Sequence, residues 1–120
     1  MINIPLDFGY AFDHLSICRV KLDKSPADKS CFASKVYNYY ANNISEQIGD
    51  ELFYEIISST EYVKLLDCNK ILFETIDNLK KYKMDAKTVD LLNHRRFELK
   101  AKLQKKFFPG KEMFEFKLGY

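Results

Sequence analysis

Apolar residues recur every three to four positions along most of the chain, which is the spacing of amphipathic helices. The first such stretch covers residues 8–22. A second begins at Ser25-Pro26, which suit the cap and the first position of a helix. Asn42-Asn43 and Gly49 both interrupt the pattern that follows, so the sequence leaves open whether residues 26–57 form one helix or two.

Two long helices are predicted in the second half of the chain. Residues 58–61 read Ser-x-x-Glu, a capping box that starts a helix with a regular apolar stripe. Asp85 can cap the next helix, which Pro109-Gly110 ends. Because the connection near Lys83 is short, we expect the two helices to form an antiparallel hairpin.

The hairpin register brings two polar residues together. If the turn is centred near residue 83, Asn69 falls opposite Arg96, and both interrupt otherwise apolar stripes. An unpaired Arg buried there would be unfavourable, so a carboxylate should lie near, or the guanidinium must reach solvent. Asn69 and Arg96 are therefore predicted to form a polar layer that fixes the register, as a seam Asn does in coiled coils. The alternative is that Arg96 binds an anion in a cleft.

The chain ends have strand spacing. Apolar residues alternate over residues 2–6 and again over residues 114–120. We expect these segments to pair as a short two-stranded β-ribbon, although Pro5 restricts the first strand to an edge. The predicted fold is a single, mainly α domain spanning residues 1–120, a helical hairpin or bundle with this ribbon joining its termini.

The cysteine content and the first residues of the chain bear on the cellular location of the protein. The 120 residues carry a net charge of +2 and include three cysteines, which form no Cys-x-x-Cys pair. We expect reduced thiols and a cytoplasmic location, since the first residues lack the basic and apolar regions of a signal peptide. Apolar runs are short, so no membrane-spanning helix is expected.

Catalytic and metal-binding motifs are not evident. The sequence has no Gly-rich phosphate loop, HExxH or GxSxG motif. His14 and Cys18 are one helical turn apart, but zinc needs about four converging ligands, and no second pair is found. We therefore expect no metal, no cofactor and no catalytic residue.

Charge is strongly segregated along the chain. Residues 80–111 contain eleven Lys or Arg and three acids, a net charge of +8, which leaves −6 for the rest. The basic segment either complements the acidic middle of the chain, within the fold or across a dimer, or binds phosphates as a nucleic-acid-binding accessory factor. The candidate anion-binding or nucleic-acid-binding residues are Lys80, Lys81, Lys83, Arg95, Arg96, Lys100, Lys102, Lys105 and Lys106.

One enzyme family offers a second alternative. Residues 89–99 resemble the L-x-x-R-x-x-L helix of the all-helical chorismate mutases. Those enzymes use buried Arg side chains to bind a dicarboxylate substrate, so the resemblance implies a small helical enzyme that acts on an anion through Arg96. The family's other cationic contacts have no identified counterpart in this chain.

The chain also resembles a small helical family of unknown function from bacterial and tailed-bacteriophage genomes. The resemblance rests on a pattern P-x-x-x-G-x-x-x-D-x-L-x-I-x-x-x-K near the start and on segments at residues 93–100 and 116–120. The matching positions are Pro5, Gly9, Asp13, Leu15, Ile17 and Lys21. The resemblance implies a helical fold and a phage setting, and it supplies no activity. We also expect Asp13 and Lys21 to form a polar pair between the first helix and the terminal ribbon.

We expect a non-enzymatic interaction or assembly protein that forms a homodimer. A long helical hairpin has two sides on which apolar residues must be buried. The chain carries more aromatic residues than one such side needs, among them Tyr39, Tyr40 and Tyr54. The partner is a second copy or another protein, and no membrane is expected as a partner.

Overall fold

Five helices make up the fold in the computed structural model, which describes residues 1–82, 86–111 and 113. The prediction of a mainly α protein is confirmed. The helices are α1 (Phe8–Lys24), α2 (Ser30–Ile48), α3 (Asp50–Ile57), α4 (Thr60–Tyr82) and α5 (Ala86–Phe107).

The predicted β-ribbon is wrong, since the described residues contain helices and no strand. Residues 1–7 have no regular secondary structure, and the side chains of residues 1–6 are exposed. Their alternating pattern therefore buries nothing, and Pro5 lacks the backbone N–H that a strand would donate. The proposed second strand, residues 114–120, lies outside the described residues. The two ends of the helical region meet instead through the rings of Phe8 and Phe108, which stack with centroids 3.9 Å apart.

Several helix boundaries differ from the predicted ones. The α2 helix begins at Ser30, four residues after Pro26, while the Ser25 hydroxyl donates to a carbonyl at the end of α1. The break between α2 and α3 falls at Gly49, whose φ of 92° favours glycine. The cap of α4 is Ser59, whose Oγ accepts a hydrogen bond of 3.1 Å from the backbone N–H of Tyr62.

The core lies where α1 packs against the antiparallel pair α4 and α5. Lys106 Nζ lies 3.0 Å from Glu61 Oε1, and the Cys68 thiol donates to the carbonyl of Leu92, so late positions of α5 meet early positions of α4. This is the direction expected for the hairpin. The buried core residues are Phe12, Leu15, Phe53, Ile56, Tyr62, Leu65, Cys68, Leu72, Leu99, Leu103 and Phe108.

The α2 helix lies on the outside of this assembly. It packs against α1, yet none of its 19 residues is buried. The short α3 helix, by contrast, places Phe53 and Ile56 in the core. Among the described residues, no helix has both the length and the apolar character that crossing a bilayer requires.

Candidate functional site

The carboxylate of Asp13 is the centre of a buried polar cluster formed by Asp13, Ser16, Asn69, Arg96 and Lys100. Arg96 Nε donates to both carboxylate oxygens at 3.0 Å, and its Nη2 donates to Oδ2 at 2.6 Å. Asn69 Nδ2 donates to Asp13 Oδ1 at 2.8 Å and to Ser16 Oγ at 2.7 Å. The polar cluster thus joins α1, α4 and α5 at one point.

Two cations of α5 share this one carboxylate. Lys100 Nζ lies 3.8 Å from Asp13 Oδ2 and 5.1 Å from the ring centroid of Tyr10. The side chain of Lys100 is only 6% exposed, and that of Asp13 only 1%, whereas Arg96 is 27% exposed. A charge buried this deeply is costly without an opposite partner, so Asp13 and the two cations depend on one another.

A row of small and polar positions on α1 makes this contact geometrically feasible. Gly9, Asp13, Ser16 and Val20 are all buried and follow the i, i+4, i+7, i+11 spacing of one helix face. The backbone N–H of Gly9 donates to Gln104 Oε1 at 2.9 Å, one helical turn before the Asp13 contact. In the sequence this spacing marks Asp13 as a polar position on one face of the first helix, but nothing in it points to Arg96, and the apolar stripe of the same helix concealed it.

Side chains of α4 and α5 donate hydrogen bonds to the carboxylate of Asp13. Both oxygens of the carboxylate accept hydrogen bonds, and Ser16 Oγ donates to the backbone carbonyl of Asp13. The polar partner predicted for Asp13 is Lys21, but Lys21 is exposed, and the ion pairs shown for Asp13 are with Arg96 and Lys100. This arrangement is suited to holding three helices together.

The structure separates the predicted anion-binding residues into two groups. Arg96 and Lys100 are in the polar cluster, whereas Arg95, Lys102, Lys105 and Lys106 are exposed on the outside of α5. Lys106 pairs with Glu61 of α4. The side chains of Lys80 and Lys81, and the whole of Lys83, lie outside the described residues.

A small pocket of about 110 Å³ lies beside the exposed group, between α5 and the start of α4. Its lining includes three cations, Lys64, Arg95 and Lys102, and two acids, Glu61 and Glu98. The hydrogen bond from Lys106 lowers the pKa of Glu61, so this carboxyl is ionised at neutral pH. The pocket therefore carries both signs of charge, with one more cation than anions.

The thiol and imidazole on α1 form a close pair with little nucleophilic character. Cys18 Sγ lies 3.8 Å from His14 Nε2, and the His14 ring packs edge-on against Tyr40 with centroids 4.6 Å apart. Burial raises the pKa of the Cys18 thiol, which keeps it protonated at neutral pH. In the described part of the chain, no group of three or more His, Cys, Asp or Glu residues could hold a metal ion.

A largely exposed apolar face lies along α2, and one of its members, Tyr40, also contacts His14 of α1. We define the apolar face as Phe32, Val36, Tyr39 and Tyr40, the two uncharged amides Asn43 and Gln47 that continue the same side of α2, and Met1, whose Sδ accepts a hydrogen bond from Tyr39 Oη at 3.3 Å. Phe32 is 73% exposed and Met1 is 98% exposed. The α2 positions recur at i, i+4, i+7, i+8, i+11 and i+15, so they share one side of the helix. None of these side chains is charged.

The comparisons with known proteins place the chain in no family. No protein-family model matches it, and neither a curated protein nor a solved structure is found to be similar to it. The resemblances to a phage family and to chorismate mutases stay predictions.

Proposed function

We propose that this protein is a non-enzymatic assembly protein that forms a homodimer through the apolar face. The observation that carries the proposal is that α2, a 19-residue helix, buries none of its residues yet presents Phe32, Tyr39 and Tyr40 to solvent. Large aromatic residues are enriched at the centres of protein interfaces, because they bury much apolar area with little loss of side-chain freedom.

The charge pattern favours a second copy of this chain as the occupant. In a two-fold interface the same patch of each copy packs against the other, so a face with an excess of one charge would be repelled by its copy. The side chains of the apolar face are uncharged, and α2 carries only two charged residues, Lys35 and Glu46, of opposite sign. An interface between two such helices brings no excess of one charge together.

The positions of these two charges also indicate how the copies are arranged. If two α2 helices pack antiparallel and cross between residues 40 and 41, Lys35 of one copy lies opposite Glu46 of the other, and the same pair forms twice. Both residues are exposed and flank the apolar face on the same edge. Flanking charge pairs contribute little affinity, about 0–1 kcal/mol each, but they select orientation and partner.

Sedimentation velocity over a range of concentrations tests the proposal. The wild-type chain is expected to form a dimer, and Phe32→Lys with Tyr39→Lys is expected to abolish it, because four lysines would then meet in the interface. The matched control is Leu91→Lys, which changes an equally exposed apolar residue on α5 (71% exposed) and leaves the dimer intact. A monomer at every concentration contradicts the proposal, and a dimer insensitive to both α2 changes shows that another surface associates.

Charge reversal tests the antiparallel arrangement separately. Lys35→Glu alone places like charges opposite each other twice and is expected to weaken the dimer about tenfold, or about 1.4 kcal/mol. Lys35→Glu combined with Glu46→Lys restores the opposite pairing and is expected to restore the affinity. If the double variant forms a weaker dimer than Lys35→Glu alone and Glu46→Lys alone, the antiparallel arrangement is wrong.

A further inference from the structure

The exposed cations of α5 are gathered on one side of the helix, although the sequence spreads its basic residues over many helical angles. At 100° per residue, Arg95, Lys102, Lys105 and Lys106 fall within an arc of about 100°. The half-buried Arg96 and the buried Lys100 lie outside this arc. These four residues are exposed, so folding sorts the cations into an internal pair and an external group.

The α4 helix extends this surface. Lys64 lines the same pocket as Arg95 and Lys102, which places a fifth cation beside the external group. We define the basic face as Lys64, Arg95, Lys102, Lys105 and Lys106. Two acids lie within it: Glu61 pairs with Lys106, and Glu98 pairs with His94 at 3.0 Å. Five cations against two carboxylates leave a formal net charge of +3.

We propose that the basic face binds the phosphate backbone of double-stranded nucleic acid without sequence preference. Lys and Arg contacts to phosphates supply most of the affinity in non-specific binding. From Arg95 to Lys106, α5 rises by about 16 Å, which spans about five base pairs of a duplex. The long, exposed side chains can therefore reach several phosphates at once.

The residues around the cations favour a duplex over two other polyanions. Proteins that bind single strands stack bases on exposed aromatic rings, but on the described part of α5, Phe97 is buried and Phe107 is half-buried with Lys106 Nζ 5.2 Å from its centroid. A helix that binds a lipid surface presents several apolar residues to it. The large exposed apolar residue on α5 is Leu91.

Fluorescence anisotropy with a labelled random-sequence 20-base-pair DNA duplex, titrated at several KCl concentrations, tests the proposal. We expect binding at low salt that weakens as salt rises. Lys102→Gln with Lys105→Gln is expected to reduce the magnitude of the slope of log K against log salt by about two, because each phosphate contact contributes about 0.9 to that slope. The matched control, Lys29→Gln with Lys70→Gln, removes the same charge from exposed positions outside the basic face and should leave the slope unchanged.

Four results would overturn the proposal. The first is no binding to the duplex at low salt, and the second is an equal reduction of the salt slope in the control and in the α5 variant. The third is tighter binding to a single strand of the same length. The fourth is binding to vesicles that contain phosphatidylserine but not to the duplex. The test is separate from that of the dimer, because the basic face lies on α4 and α5 and shares no residue with the apolar face on α2.

Discussion

Asn69 Nδ2 and Arg96 Nε donate to the same atom, Asp13 Oδ1, at distances of 2.8 and 3.0 Å. The two residues interrupt the apolar stripes of α4 and α5, and a third helix supplies the carboxylate on which they meet. Asp13 therefore ties α1 to both helices of the hairpin at a single point.

The first prediction concerns the charge of Asp13. Asp13→Asn keeps the size of the side chain but leaves Arg96 and Lys100 without this buried anion, so the free energy of unfolding should fall by about 3–5 kcal/mol. Urea denaturation measures the change. The control is Asp23→Asn, which removes an exposed carboxylate paired with Arg19 and should cost about 0–1 kcal/mol. Equal effects of the two changes would mean that the polar cluster contributes no more than a surface pair.

The second prediction concerns Gly9, which lets α5 approach α1 closely. A Cβ at this position would lie 2.7 Å from the backbone carbonyl oxygen of Lys100, and backbone cannot move aside as a flexible side chain can. Replacing a helical Gly by Ala normally stabilises a helix by about 0.5–1 kcal/mol. Gly9→Ala should instead destabilise the protein by about 1–3 kcal/mol, because the two helices must separate.

Thermal denaturation compares Gly9→Ala with Asn38→Ala, an exposed position in the middle of α2. The Asn38→Ala change should be neutral or slightly stabilising, since Ala favours a helix more than Asn does. A higher melting temperature for Gly9→Ala would contradict the close packing of α1 on α5.

The third prediction concerns the hydroxyl of Tyr62. Its Oη is buried and has no hydrogen-bond partner among the residues that the structure describes, and burial raises the pKa of this phenol. Tyr62→Phe should therefore leave stability at neutral pH unchanged or increase it by about 1 kcal/mol. Tyr54→Phe, at a position 63% exposed, is the control and should have no effect.

The same change should alter stability at alkaline pH. In the wild type the unfolded state ionises at Tyr62 near pH 10 while the folded state keeps the proton, so stability declines as the pH rises above about 10. Tyr62→Phe has no phenol to ionise and should lose less stability above pH 10 than the wild type does. A loss of more than about 1 kcal/mol at neutral pH would show that the hydroxyl has a partner.

The fourth prediction concerns the three thiols. Cys31 is exposed, whereas Cys18 and Cys68 are buried, and burial raises the pKa of both buried thiols. A thiol reagent should therefore modify Cys31 fast and the other two only as the protein unfolds. Mass spectrometry of the labelled peptides measures the order. In Cys31→Ser the fast phase should be absent, and fast labelling of Cys18 in that variant would contradict the packing of α1.

The helices and the meeting of Asn69 with Arg96 follow from local spacing, which is why the sequence predicts them. Apolar periodicity identifies the α4 and α5 stripes, and a short connection makes the two helices neighbours. The break at Gly49 was one of two candidates in the sequence. Only the structure shows that the chain there takes a φ of 92°, while Asn42 and Asn43 continue the helix.

Two features depend on tertiary contacts and could not be predicted from the sequence. They are that Asp13 is the carboxylate bound by Arg96, and that residues 2–6 do not form a strand. Asp13 is 83 residues away from Arg96 along the chain, and no local pattern links the two. The alternation of residues 2–6 resembles a strand, but a strand needs a neighbour for its backbone hydrogen bonds, and these residues are instead exposed beside the helices. The sorting of the α5 cations into buried and exposed groups likewise needs the position of α1.

Hydrogen–deuterium exchange at low and at high protein concentration tests the central functional claim, that the apolar face is where two copies meet. We expect peptides covering residues 1–6 and α2 to become more protected at high concentration, while peptides from α5 do not change. Protection confined to α5, or exchange that is the same at both concentrations throughout α2, would contradict this claim.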